Sequence, residues 1–373
     1  MPSRSSDIIV VGAGIVGCAI AYELARRGAS VQVIDGRSIG MGATQASAGV
    51  LAPFIEAGEG SPLLDLTIRS LDLFDEFTAR VSSDSGVAVP YRRTGTIDVA
   101  TDEDEMRALS TTAGLLTRRG VAAELVDRAS ARAQEPHLSA DVAGGLLIPA
   151  HGFVAAAELT RAVAIAAGRS GVRFIERLSA RRIARVNGDI IVETDRESLA
   201  GHAVVLAAGS WSGAIEIDGV AARVPVRPVR GQLMYLTWNG SPLRRVVWSH
   251  RCYLVPWDDG TVLVGATMEE AGFDERTTVA GVHDLLEAAC EIVPPAATAG
   301  FVGARVGLRP ATTDHLPVIG TSRVVPNLMY ATGHYRNGVL LAPLTADLVA
   351  DAMLENRVDP ALAAVSPARF GDL

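Results

Sequence analysis

Two glycine-punctuated turns stand near opposite ends of this 373-residue chain. The first is GAGIVG, with Gly12, Gly14 and Gly17 around Ile15 and Val16. The second is GHYRNG, in which Gly333, His334, Tyr335, Arg336, Asn337 and Gly338 precede the apolar Val339 and Leu340. Backbone N–H groups in such turns converge on one anion or carbonyl, and a helix starting there adds the positive end of its dipole. Two turns of this kind in one chain point to a long cofactor held across both.

The elements around the first turn are in register for that chemistry. Residues 7–11 are an apolar run suited to a buried parallel strand. Apolar residues from Ile15 to Arg27 recur at helical spacing, and Val31–Ile34 is a second strand ending at Asp35 and Gly36. In such a unit the first glycine makes the turn, the second admits a pyrophosphate, and the third lets helix and strand pack closely. The acid can accept from adenosine ribose hydroxyls, which disfavours a 2′-phosphate. Residues 40–52, GMGATQASAGVLA, are too polar and glycine-rich for a core helix. Ala43, Thr44, Ala48, Gly49 and Val50 in this stretch can run beside a pyrophosphate or ring. A nicotinamide enzyme would normally enter another strand–helix–strand unit here, so the detour favours FAD.

Composition narrows the function further. The chain has no lysine, so all 34 basic side chains are arginine. That excludes Schiff-base and pyridoxal-phosphate enzymes and any P-loop, each of which needs a lysine amine. A net charge of −8 argues against nucleic acid as a main partner. No stretch reaches membrane-span length, and MPSRSS is too short and polar for a signal peptide, so no membrane partner and a cytoplasmic location are expected. Cys18, Cys252 and Cys290 show no metal-like spacing; no metal site is expected, and buried, reduced thiols are the ordinary reading.

Along the chain the organisation reads as interleaved. A helix is expected around 62–80, and a polar helix after Thr101 whose charges Asp102–Glu105 face solvent. Gly152 to Gly171 is mostly an Ala-rich helix. A hairpin turns at Asn187–Gly188, and residues 204–213 form a buried strand ending in a glycine turn that contains Ala208 and Gly209. From Val224 to Thr267 strand follows strand, a helix covers 280–292, and the chain returns toward the cofactor at Gly307. The expected fold is α/β. Residues 1–85, 151–215 and 301–373 make a discontinuous Rossmann-like FAD-binding domain. Residues 86–150 and 216–300 make a mixed α+β substrate domain with an antiparallel sheet.

The pieces GAGIVGCAIAYELARRG, SAGVLA, VVLAAGSWS, CYLVP, VLVGATM, VGLRPAT and GHYRNGVLLAP, in this order, resemble the D-amino-acid oxidase family of flavoproteins, and within it the bacterial glycine oxidases. The match is loosest around 55–150 and after 355. The resemblance implies non-covalent FAD, contacts to it from the two turns and from Ala180, Ala208 and Gly209, and a small amino-acid substrate. A substrate carboxylate buried against a flavin requires a fixed cation, and the planar fork of arginine suits it. Arg309 in GLRP and Arg336 in HYRNG are the candidates. The alternatives are a structural ion pair or carbonyl clamp for either, and mainly a flavin contact for Arg336. Tyr253 is expected to donate to the same carboxylate, and Met268 and Val50 to shape the pocket. His334 is a backbone contributor to the flavin turn rather than a base, and His250 has a surface or structural role.

The reaction implied is hydride transfer from a neutral amine to the flavin, followed by imine hydrolysis. It yields an oxo acid, ammonium and, with oxygen as acceptor, hydrogen peroxide; for glycine the resemblance implies glyoxylate, or its imine passed to thiamine thiazole synthesis. Monomeric sarcosine oxidases use a lysine over the flavin, which this chain lacks. Val50 and Arg251 depart from the methionine and histidine of the best-known relatives. A dehydrogenase with another acceptor and a non-catalytic flavin subunit are the competing readings. Relatives suggest a homotetramer.

Overall fold

Both faces of the Ser6–Val11 strand are packed: Ile8 and Val10 enter one apolar cluster, Ile9 and Val11 another. Side chains alternate in direction along a strand, so a run this apolar belongs inside a sheet covered on both sides. The computed structural model, which describes residues 6–56, 60–220, 223–238 and 240–373, places it there. Five strands run parallel in the order Leu328–Thr332, Ser198–Leu206, Ser6–Val11, Val31–Asp35 and Arg173–Glu176. The hairpin of Ala180–Val186 and Asp189–Thr194 pairs with the first half of Ser198–Leu206, and its turn at Asn187–Gly188 is the one the sequence suggests. Glu216–Ile217 and Val318–Thr321 complete nine strands. The helices Ile15–Arg26, Pro62–Ser85, Ala156–Arg169 and Gly338–Leu354 cover the face carrying Ile8 and Val10.

A second, eight-stranded sheet has the order Gly300–Ala311, Arg227–Thr237, Thr261–Gly265, Tyr253–Pro256, Val246–Trp248, Thr96–Ala100, Gly144–Ile148 and Glu124–Asp127. It is antiparallel except where Val246–Trp248 runs beside Thr96–Ala100. Its two faces separate cleanly. Met234, Leu254 and Val264 pack with Leu285 and Ala289 of the Val279–Ile292 helix, while Leu233, Val255 and Leu263 face Ala48 and Phe153. The Gly300–Ala311 strand stays paired with Arg227–Thr237 as far as Ala311. The chain therefore rejoins the nine-stranded sheet at Val318–Thr321, later than the expected boundary at 301. The fold is α/β: a Rossmann-type parallel unit beside a mixed, mainly antiparallel sheet. Among the described residues no helix is long and apolar enough to cross a membrane.

One helix is mended from a neighbouring helix. Pro343 lies inside the Gly338–Leu354 helix, where it has no N–H to donate and crowds the preceding turn. Ser70 of the Pro62–Ser85 helix fills the resulting break: its hydroxyl donates to the Leu340 carbonyl at 2.6 Å and accepts from the Leu344 N–H at 3.3 Å. All of this is buried. Ser70→Ala should cost about 1–3 kcal/mol by stranding those backbone groups, read as a lowered urea midpoint at unchanged m-value.

Candidate functional site

The parallel strands end together, and beyond their C-terminal ends a cavity of about 600 Å³ opens against the inner face of the second sheet. Open α/β sheets bind ligands at this edge. Val11, Ile34, Ala207 and Thr332 form the strand-end wall, and Trp248, Tyr253 and Arg309 the wall from the second sheet.

At one end the turn after the first strand is fitted by absence of side chains. A Cβ on Gly12 would stand 2.3 Å from the Ala207 carbonyl oxygen, and one on Gly17 would stand 1.9 Å from that of Gly12. These two glycines let strand, turn and helix close on one another. Gly14 is different: its nearest neighbour would be the Thr44 hydroxyl at 3.5 Å, so it faces open cavity. The Ile15–Arg26 helix begins there without a side-chain cap, and Ile15 N–H donates to Thr44 Oγ1 at 3.2 Å. Asp35 accepts from the N–H groups of Ala13 and Arg37, each at 2.7 Å. Burial raises its pKa against the lowering effect of those donors. Each carboxylate oxygen keeps a second lone pair for a ribose hydroxyl. A glycine open to the cavity, an uncapped helix start and an anchored acid fit a dinucleotide.

Along the cavity follow Val16, Gly36, Ala43, Thr44, Ala48, Gly49, Val50, Ala180, Ala208 and Gly209, then Gly333, His334, Tyr335, Arg336, Gly338 and Val339 at the second turn. The helix starting at Gly338 also lacks a side-chain cap; Asn337 is its N-cap residue. Gly17, Asn337 and Leu340 lie behind the wall: Gly17 against Gly12, Asn337 buried at the helix start, and Leu340 in the core with its carbonyl on Ser70. His334 is buried, its Nε2 3.1 Å from Thr345 Oγ1, and burial lowers its pKa to about 4. A neutral ring turned into the helix is a structural part of the turn.

The strand-side wall holds the polar groups suited to a substrate. Arg309 lies across Gly231 of the neighbouring strand, where an added Cβ would come within 2.2 Å of Nη1. Nη1 donates to the carbonyls of Thr267 at 2.9 Å and Arg230 at 3.4 Å. These are its protein hydrogen bonds among the described residues, leaving Nε and Nη2 for a ligand. The same device seats Tyr253: a Cβ on Gly265 would stand 2.5 Å from its hydroxyl, and its ring stacks on Trp248 at 4.9 Å. Met268 lines the cavity although it is 64% exposed, and its sulfur accepts from the Tyr335 hydroxyl at 2.8 Å. Val50, on the short Val50–Leu51 strand, is half-buried.

Arg251 reaches the wall, and its guanidinium is held by Glu287 at 2.7 Å and Glu291 at 2.5 Å on the Val279–Ile292 helix. His250, next to it, pairs with Glu105 at 2.7 Å. Burial pushes the Cys252 thiol up to about 11 and the Cys18 thiol higher, so neither is a thiolate at neutral pH. Among the described residues no cluster could hold a metal. Sequence reasoning missed Gly231, Gly265, Arg37 and Trp211. An interior strand glycine signals a close approach, so Gly231 within RPVRGQLMYLT carried a usable hint. Gly265 and Trp211 lie inside the pieces VLVGATM and VVLAAGSWS, and Arg37 carried no signal of its own.

The buried His334 makes a pH prediction. Its folded pKa of about 4 lies below the ordinary 6.5, so the unfolded chain binds the extra proton between those values. Its contribution is complete above pH 6.5 and is lost as pH falls toward 4. Stability should therefore rise with pH across that window. His334→Gln should flatten the slope by up to one proton, about 1.4 kcal/mol per pH unit, measured as the urea midpoint against pH.

Comparison with known proteins supplies the family. Residues 7–352 match the DAO family, FAD dependent oxidoreductase. The chain is 34% identical over 361 residues to the bifunctional protein ThiO/ThiG of Nostoc sp., covering 95% of this chain and 54% of that protein. It thus spans about half the length of the first curated relatives it matches. It is 33% identical over 347 residues to the glycine oxidase of Geobacillus kaustophilus, covering 92% of each. The crystal structure of a glycine oxidase from that organism superposes with a TM-score of 0.93 at 31% identity, over 100% of this chain and 99% of the other. The chain belongs to the DAO family of FAD-dependent oxidoreductases.

Proposed function

We propose that this protein oxidatively deaminates glycine and related small amines such as sarcosine and small D-amino acids. The products are glyoxylate or another oxo acid, ammonium or amine and, with oxygen as acceptor, hydrogen peroxide. The observation that carries this reading is the seating of Arg309 on Gly231 and Tyr253 on Gly265, facing one cavity with the dinucleotide turn at its other end. The similarity to glycine oxidases supports the same substrate class.

The residues divide the work as follows. Gly12, Gly14 and the uncapped helix start receive the pyrophosphate, Asp35 the ribose, and the second turn the flavin end of FAD, bound without a covalent link. FAD supplies the hydride acceptor. Arg309 pairs the substrate carboxylate through the nitrogens not tied to Thr267 and Arg230, and Tyr253 and Arg336 add donors. A carboxylate fixed at three points limits the orientations open to the small Cα group, which lowers the entropic part of the barrier. No side chain need act as base when the amine enters neutral, and His334, turned to Thr345, is not placed for it. Val50 and Met268 limit the space beyond Cα.

Three measurements test this reading. Anaerobic glycine, sarcosine or D-alanine should bleach the yellow protein, and air should restore the colour with peroxide formation. No bleaching by any of them would refute the substrate class, and bleaching without rapid recovery would move the acceptor away from oxygen. Arg309→Lys should lower kcat/KM about tenfold to a hundredfold through loss of charge-assisted bonds worth about 1.5–3 kcal/mol. Gly231→Ala should lower kcat/KM by a similar factor by displacing the guanidinium, while stability changes by less than about 1 kcal/mol, because only a flexible side-chain end has to move.

A further inference from the structure

The segment from Met268 to Arg276 is tied down at points belonging to both ends of the cavity. At its start, Met268 accepts from Tyr335 of the second turn, beside the Thr267 carbonyl that holds Arg309. At its far end, Glu275 makes a two-pronged ion pair with Arg37, at 2.9 and 2.6 Å, two residues beyond Asp35. Between them Phe273 packs on Trp211 with ring centroids 5.8 Å apart. The Arg37 guanidinium lies 4.2 Å from the centroid of the same indole ring. Asp274 and Glu269 anchor the segment from beneath, on the buried Arg230. Arg37 and Trp211 line the cavity; Phe273 and Glu275 do not. Phe273 is 52% exposed, its ring packed on Trp211.

We infer that Arg37, Trp211, Phe273 and Glu275 form a latch that retains the dinucleotide at its adenosine end. The nine-stranded unit supplies the cation and the indole; the segment arriving from the eight-stranded sheet supplies the carboxylate and the phenyl ring. A planar guanidinium held between a carboxylate and an indole face is fixed in orientation, so the segment is pinned to two residues of the cavity wall, Arg37 and Trp211. FAD can leave only when this pair and the ring contact part together. The latch therefore sets the rate of cofactor loss, and its ion pair makes that rate depend on salt.

The test uses the FAD-loaded protein and reads free flavin fluorescence after dilution, with no substrate present. Glu275→Gln should release FAD about two- to fivefold faster than the unaltered protein. Phe273→Ala should also accelerate release, and the double variant should exceed either. Added sodium chloride should speed release from the unaltered protein and do so less in Glu275→Gln. Asp359→Asn, which alters a comparably exposed ion pair with Arg69 away from the cavity wall, serves as the control and should change nothing. Release from Glu275→Gln and Phe273→Ala at the unaltered rate, or equal acceleration in the control, would overturn the latch. The inference rests on the FAD site alone, so a protein that holds flavin through the latch yet is not bleached by glycine would sink the proposed substrate and leave the latch standing.

Discussion

A carboxylate can be taken out of water only if a cation is already waiting in a fixed place. The cation we propose for that task, the Arg309 guanidinium, lies across a glycine of the neighbouring strand. The pairing of Arg227–Thr237 with Gly300–Ala311 sets Gly231 opposite Gly307, two residues from Arg309 on the same face. Gly307 in turn lies close to Ala43 and Ala46, so the strand that carries the cation also presses on the loop beside the cofactor wall. One strand thereby holds the Arg309 wall and the loop at Ala43–Ala46 in register. Carbonyls of Thr267 and Arg230 fix one guanidinium nitrogen and leave the others to work.

The rest of the architecture delivers groups to that wall. Parallel strands buried on both faces end at one edge, and their connecting turns meet there because each strand points the same way. The second sheet turns one face to its own helix and the other to the cavity, an alternation written into every second residue. The charge distribution follows the same economy. Arg251 is paired with two glutamates outside the cavity lining, and His334 is kept neutral by burial.

How much of this was legible in the sequence depends on distance along the chain. The strand–turn–helix–strand unit at residues 6–35, the hairpin at Asn187–Gly188 and the Val279–Ile292 helix were readable because their signals are local: period two, period 3.6, glycine and asparagine at turns. Tyr253, Arg309 and Arg336 were identified from the motifs around them, and the fold brings them to one cavity. The strand ending at Ala311 was divided at 301 because nothing in its own residues tells which sheet it pairs with.

By itself, then, the sequence determined the strand–turn–helix–strand unit with its glycines and acid, the absence of lysine chemistry and which polar residue types are available to a site. These follow from residue types and short spacings, which act within a turn or two. Only the tertiary structure decided that Gly231 and Gly265 are the seats of Arg309 and Tyr253, that Glu287 and Glu291 pair with Arg251, and that Glu275 meets Arg37 across 238 positions of chain. Such contacts depend on strand register and on how two sheets meet, and no local pattern encodes a partner that far away.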